Sequence, residues 1–259
     1  MKDALQAAPR KGSRLSSIGI WTALLGVILA ALSGLGARAG FLSPFQSMGA
    51  YALGSLLMVC ALVTAGLGLL RSGGTAGNAS APATWLALLA GLAVTANNGM
   101  VMGQARGAPG IHDVTTDTDN PPAFVAVIPL RMVDAQNPPE YAGPGSGPEA
   151  AAAQKQAFPD LQPLFVNQPA NVVFAAARDV VAEKGWTLVD ANEAEGRIEA
   201  TAETGWVRFK DDVVIRVQPG RDQTRVDVRS KSRVGRGDMG ANARRVRDYL
   251  SSLQARLAR

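Results

Sequence analysis

Apolar residues follow two different rhythms along this chain. Over the first hundred positions they run together, and the stretches 15–37, 48–70 and 83–102 contain no Asp, Glu, Lys, Arg or His. About 20 apolar residues cross a bilayer as a helix. Backbone amides cannot stay unpaired in lipid, so each stretch is expected to be helical. The pattern predicts three transmembrane α-helices within residues 15–103.

Beyond residue 167 the apolar positions alternate or recur at helical spacing. Pro169 opens a predicted helix with Val172, Val173, Ala176, Ala177, Val180 and Val181 on one face, and Gly185 stops it. Strands follow at 186–189, 197–203, 212–218 and 224–234. In the last, Val226, Val228, Ser230 and Ser232 share one face and Asp227, Arg229, Lys231 and Arg233 the other. A final helix starts after Asp238, a suitable N-cap, and buries Val246, Tyr249, Leu250, Leu253 and Leu257. This order predicts an α+β soluble domain over 167–259. It is an antiparallel four-stranded sheet with two helices on its apolar face and a charged second face toward solvent.

Between the two regions, 104–166 reads as an irregular linker with docked segments. Asn137-Pro138-Pro139 and Gly143-Pro144-Gly145-Ser146-Gly147-Pro148 mark a tether. Ala123-Phe124-Val125-Ala126-Val127-Ile128 is a short strand or a docked piece, because the flanking prolines keep it out of a sheet centre.

Charge then sets orientation. Lys2, Arg10, Lys11 and Arg14 precede the first span and Arg38 alone follows it. The basic stretch 1–14 is thus placed in the cytoplasm and everything after the third span outside. In a Gram-negative cell this is an inner-membrane protein with a periplasmic domain. A competing reading takes the first span as a cleaved signal peptide, but its apolar stretch exceeds the usual h-region; the outward placement holds either way. The half from 104 onward carries 20 basic and 20 acidic side chains, so the overall basicity is topogenic and nucleic acid is not implied as a partner. Within that half the balance is uneven. Residues 104–203 hold 6 basic and 14 acidic groups, and 204–259 the reverse, 14 and 6. Mutual neutralisation across one fold explains the split, and a basic face at Arg244, Arg245 and Arg247 for an anionic partner is the sharper alternative. The one cysteine, Cys60, lies mid-span and can form no intrachain disulfide.

Several motifs carry a family resemblance. They are Gly196-Arg197-Ile198-Glu199-Ala200-Thr201, Phe209-Lys210-Asp211-Asp212-Val213-Val214-Ile215-Arg216, Val226-Asp227-Val228-Arg229-Ser230-Lys231-Ser232-Arg233-Val234-Gly235 and Asp238-Met239-Gly240-Ala241-Asn242. With Ile111-His112-Asp113 and Phe158-Pro159-Asp160 upstream, the chain over 108–255 resembles the bacterial and plastid domain of unknown function numbered 1499. Arg208 departs from the small residue of that family's Trp-x-x-Phe stretch. The resemblance implies no reaction and carries over no catalytic residue.

Candidate chemistry is sparse. Gly235-x-Gly237-x-x-Gly240 imitates a dinucleotide fingerprint but lacks the following parallel strand and acid. His112, Asp113, Asp117 and Asp119 form an acid-rich loop without the composition of a zinc site or the spacing of an EF-hand. Neither a metal nor a cofactor is implied. The turn from Arg229 to Asn242 is the candidate binding surface: Arg229, Arg233 and Arg236 with the free amides of a helix start near Asn242 suit a phosphate or carboxylate. Cross-strand pairing of the same arginines with Glu199, Asp212 or Asp227 is the structural alternative. The reading is a non-enzymatic binding or assembly module of the cell envelope, held in the lipid bilayer and engaging an envelope protein or an anionic lipid or glycan. The alternative is an envelope hydrolase using His112 and the nearby aspartates.

Overall fold

The computed structural model describes residues 14–71 and 81–258 and divides into two compact units, one of residues up to Gly103 together with Trp206–Arg208, the other of Gln104–Gly205 and the residues from Phe209 on. Lys2, Arg10 and Lys11, which enter the orientation argument, lie outside the described residues, as does the 72–80 link.

The first unit contains α1 (Arg14–Arg38), α2 (Pro44–Arg71) and α3 (Ala81–Ala105), each long and apolar enough to cross a membrane. Small residues bring their backbones together. A Cβ at Gly26 would lie 2.9 Å from the Gly54 carbonyl oxygen, and one at Gly91 would lie 2.6 Å from that of Met58. Ala23, Met58, Ala61, Ala65 and Ala87 fill the buried seam. Close backbone approach suits helices in lipid, where no hydrophobic force drives them together. The Ser47 hydroxyl donates to the Ser33 carbonyl (2.8 Å), tying α2 to α1.

The second unit is an antiparallel sheet of six strands, two more than the alternation predicts. Four of them, β3 (Thr187–Asn192), β4 (Arg197–Glu203), β5 (Lys210–Pro219) and β6 (Thr224–Ser232), run as a meander. The additional two come from the stretch expected to be irregular. β1 (Asp113–Thr115) and β2 (Leu164–Val166) lie end to end along the free edge of β6, against 229–231 and 224–226 respectively. Three residues are too few to show a period of two, so neither strand announces itself in the pattern. Two helices of the same stretch, α4 (Ile128–Asp134) and α5 (Gly147–Ala157), each begin with a proline in the first turn.

The apolar face is built as expected. α6 (Ala170–Glu183) and α7 (Ala241–Leu257) pack on Ile198, Ala200, Val213, Ile215, Val226 and Val228. On α6 the buried stripe takes Phe174, while Val172 is 46 % exposed. On α7, Tyr249 stacks on Trp186 with ring centres 5.5 Å apart and donates its hydroxyl to the Ala177 carbonyl (2.9 Å). α7 starts on Gly240, left-handed at φ 77°, and the Asp238 carboxylate receives the amides of Gly240 and Asn242 (2.8 and 2.7 Å). Asp238 thus caps the helix from two residues outside the cap position.

The second face departs from expectation. The charged side of the sheet is not solvated: Glu199, Asp212, Asp227, Arg229, Lys231 and Arg233 are all buried. Three intramolecular pieces account for the cover, namely β1 with its acid loop, the docked 123–127 piece leading into α4, and the proline- and glycine-rich turns of 136–147. Phe124, Val127 and Val214 form a small apolar cluster there.

Candidate functional site

Strand alternation gathers the domain's charged groups on one face, and four fully buried carboxylates organise it. Glu199 of β4 accepts the backbone amides of Val125, Ala126 and Val127 (2.9, 3.1 and 2.9 Å) and pairs with Arg197 (2.5 Å). Those amides precede α4, so one side chain seats the incoming helix and satisfies three donors. Asp212 of β5 receives Arg131 of α4 (2.6 Å), Arg233 (2.8 Å) and the Thr201 hydroxyl (2.8 Å). Asp227 of β6 binds Arg216 and Arg225 (2.8 and 2.9 Å), and both arginines also reach Asp117 of the acid loop. Asp113 of β1 takes Arg229 through two nitrogens (2.9 and 2.8 Å), the Lys231 ammonium (3.1 Å) and the Ser146 hydroxyl (2.7 Å).

Burial pushes Asp113 up, but Arg229, Lys231 and Ser146 outweigh it and hold the carboxyl below its ordinary range. Lys231 is lowered by the same burial, only partly offset by Asp113. Buried ion pairs roughly balance desolvation against attraction, so their worth lies in the penalty for any wrong pairing.

The sequence-derived site residues divide between core and surface. Arg229 is stacked over Phe124 (4.7 Å) and Tyr141 (5.3 Å) and also donates to the carbonyls of Pro122 and Pro139 (3.1 and 2.9 Å). Arg233 holds Asp212, Thr201 and Asp134. Asn242 lies on the opposite, apolar side, where it joins α7 to β6. It accepts from Ser230 (2.6 Å) and donates to Ser232 (2.9 Å) and the His112 carbonyl (3.1 Å). Only Arg236 is exposed. The structure therefore brings Arg229 and Arg233 onto one buried face, separates Asn242 from them by the sheet, and leaves Arg236 alone at the surface. Of the basic helix residues, Arg245 pairs with Asp211 (2.6 Å), Arg247 with Asp160, and Arg244 donates to the Met239 carbonyl (3.0 Å).

His112 is 3 % exposed, and neither ring nitrogen has a hydrogen-bond partner. Its Nδ1 packs on Gly145, where a Cβ would lie 2.6 Å away and φ is 76°, a left-handed value that suits glycine. Burial, then the Lys231 charge, lowers the imidazole; the nearby Arg236 carbonyl, outside hydrogen-bond geometry, acts weakly the other way. Asp113, the neighbouring acid, is committed to Arg229, Lys231 and Ser146. No group of three or more His, Cys, Asp or Glu side chains placed to hold a metal occurs among the described residues. Tyr141, whose hydroxyl is likewise buried and unpartnered, is pushed up to about 12 by burial.

Sequence reasoning missed Arg131, Glu199 as an anchor for backbone amides, and α4 itself. The available signal was the charge split. The acid-rich 104–203 and base-rich 204–259 portions pair across the fold through Asp113–Arg229, Asp117–Arg225, Asp134–Arg233, Asp160–Arg247 and Asp179–Arg256.

Part of what stays outward on this side is apolar. α4 turns Met132 and Val133 to solvent, 84 % and 86 % exposed, with Val125 and Leu130 beside them. Met132 also lines a groove of about 340 Å³, with Ile128, Arg131, Pro138 and Pro139.

Comparison with the curated proteins finds no match. The profile of the family described as Protein of unknown function (DUF1499) matches residues 113–253. That span opens on β1, runs into α7 and takes in all six strands with both covers of the sheet. Arg208 has φ 57°, a left-handed value that glycine adopts most readily. By this match over more than half its length, the chain belongs to the DUF1499 family.

Proposed function

We propose that this protein is anchored in the inner membrane with its N-terminus cytoplasmic and its C-terminal domain periplasmic. There the domain serves as a non-enzymatic binding or assembly module of the cell envelope. The observation carrying this reading is the contrast on the covered face. Its charges are consumed by one another, whereas α4 presents Met132 and Val133 almost fully to solvent beside a groove. Contiguous exposed apolar side chains mark interaction surfaces. The ionic pair at its edge, Lys210 with Asp134 (2.8 Å), is self-neutralised. A protein partner therefore suits this surface better than an anionic lipid or glycan.

An anion-binding role for the 229–242 turn takes a narrower form. Arg236 would present the guanidinium, with Arg229, Arg233 and Asn242 positioning the turn from behind. The hydrolase alternative would require solvent to reach His112 and a free carboxylate to orient it; the burial of His112 and the three partners of Asp113 weigh against this.

The test is photocrosslinking of the full chain in envelope membranes. Met132→Glu with Val133→Glu should remove discrete cross-linked protein bands while the domain melts within a few degrees of the parent. Unchanged bands would overturn the α4 surface. Bands lost instead in Arg236→Gln would move the site to the turn. A reporter active only outside the cytoplasm should work after Arg259 and stay silent within 72–82; the opposite result would overturn the orientation.

A further inference from the structure

Two adjacent amides near the end of α3 have different surroundings. Asn98 is half-buried and accepts the Tyr51 hydroxyl of α2 (3.3 Å), an interhelical bond within the bundle. Asn97 is exposed and makes no hydrogen bond through its side chain among the described residues. At 3.6 residues per turn, consecutive side chains point about 100° apart, so Asn97 faces away from the bundle. It lies six residues before Gly103, where the apolar span ends, hence roughly 9 Å inside it at 1.5 Å per residue. At that depth in hydrocarbon a carboxamide without a protein partner is costly.

The rest of the α3 face supplies what a partner helix needs. Of the three spans α3 is the least covered, 11 % buried against 28 % for each of the others. Ala93, exposed and one turn before Asn97 on the same side, is small enough to permit close helix approach. The carboxamide carries two donors and an acceptor, so it is complementary to a copy of itself across a two-fold axis.

We infer that α3 is a self-association helix through which two copies of this chain pair, Asn97 to Asn97, with Ala93 against the opposing backbone. The occupant is a second copy because the exposed group is self-complementary. This inference is independent of the α4 surface, which lies on the other unit.

The test is energy transfer between donor- and acceptor-tagged full-length chains in phosphatidylcholine vesicles. Transfer should rise with protein-to-lipid ratio and saturate as a dimer. Asn97→Leu should weaken association roughly threefold to tenfold, Asn97→Gln should largely keep it, and Asn98→Ala should change it less than twofold. Cysteine scanning that keeps Asn97, in a Cys60→Ser background, gives a second readout. Ala93→Cys and Val101→Cys should cross-link between copies, and Leu92→Cys, on another side of α3, should not. A monomer at every ratio, equal association in Asn97→Leu, or equal cross-linking at 92 and 93 would overturn the inference.

Discussion

The sheet is covered on both faces, and the two covers are held by different forces. On one side α6 and α7 meet Val, Ile and Ala side chains, an attraction proportional to area and indifferent to direction. On the other, Glu199, Asp212, Asp227 and Asp113 each grip particular donors, among them Val127, Arg131, the Thr116 hydroxyl and Arg229 from distant parts of the chain. The apolar side tolerates repacking as long as volume is kept. The ionic side tolerates no single exchange, because a lost partner leaves a charge buried without compensation. The pairs therefore act more as a register for α4, β1 and the 136–147 turns than as a source of stability.

The comparison is broken most directly by removing one cover. A fragment beginning at residue 167 loses β1, β2 and α4, exposes Arg229 and Lys231 without Asp113, and leaves Arg233 with Asp212 but without Asp134. It should show no cooperative melting, whereas a fragment of 104–258 should melt as one unit. A cooperative transition in the shorter fragment would mean that the ionic cover is dispensable. Next in size, Asp212→Ala in the longer fragment should cost about 3–5 kcal/mol by urea unfolding, since Arg131 and Arg233 lose their shared counter-charge. Replacing the trio together by Leu, Met and Met should recover most of that loss. On the apolar face, Ile215→Val should cost only about 0.5–1.5 kcal/mol. Equal losses for Asp212→Ala and Ile215→Val would erase the distinction between the faces.

A pH titration sharpens it further. His112 has a folded-state value below its ordinary 6.5, so the folded domain binds fewer protons there than the unfolded chain. Its contribution is present above about pH 6.5 and is lost as pH falls through the lowered value. His112→Gln should flatten the stability profile in that window, and the profiles should converge in shape only where the depressed carboxylates Asp113 and Asp134 begin to protonate. An unchanged profile in the variant would remove His112 as the acid-sensitive group. The smallest effect belongs to the rim. Lys155→Ala removes an exposed pair with Asp119 and should change stability by less than about 1 kcal/mol.

The apolar half of this architecture was legible from periodicity. Val213, Ile215, Val226 and Val228 alternate as a half-buried strand must, and Val246, Tyr249 and Leu253 recur at helical spacing. The charged half was not. Alternation shows that Asp227, Arg229, Lys231 and Arg233 share a face, but a solvated ladder and a buried network have the same pattern. The acid that holds Arg229 and Lys231, and the second acid of Arg233, lie about a hundred positions away, on a three-residue strand and a seven-residue helix too short to show any period. For the candidate site, the arginines stood out by sequence, while the burial that gives them partners is a tertiary property. Arg131 and the outward Met132 and Val133 were hidden in a stretch that composition marks as a tether.

The pairing of β1 with β6 also sets a schedule. Asp113 and Arg229 stand 116 positions apart, so the strand made early in the domain waits for one made near its end. During that wait the emerging chain is the acid-rich 104–203 segment, with 14 acidic groups against 6 basic. Like charges hold such a segment open and discourage premature collapse. Closure awaits the basic strands, and contacts at this separation are slow to form. The uneven charge along the chain thus keeps the first half of the domain from settling before the second half exists.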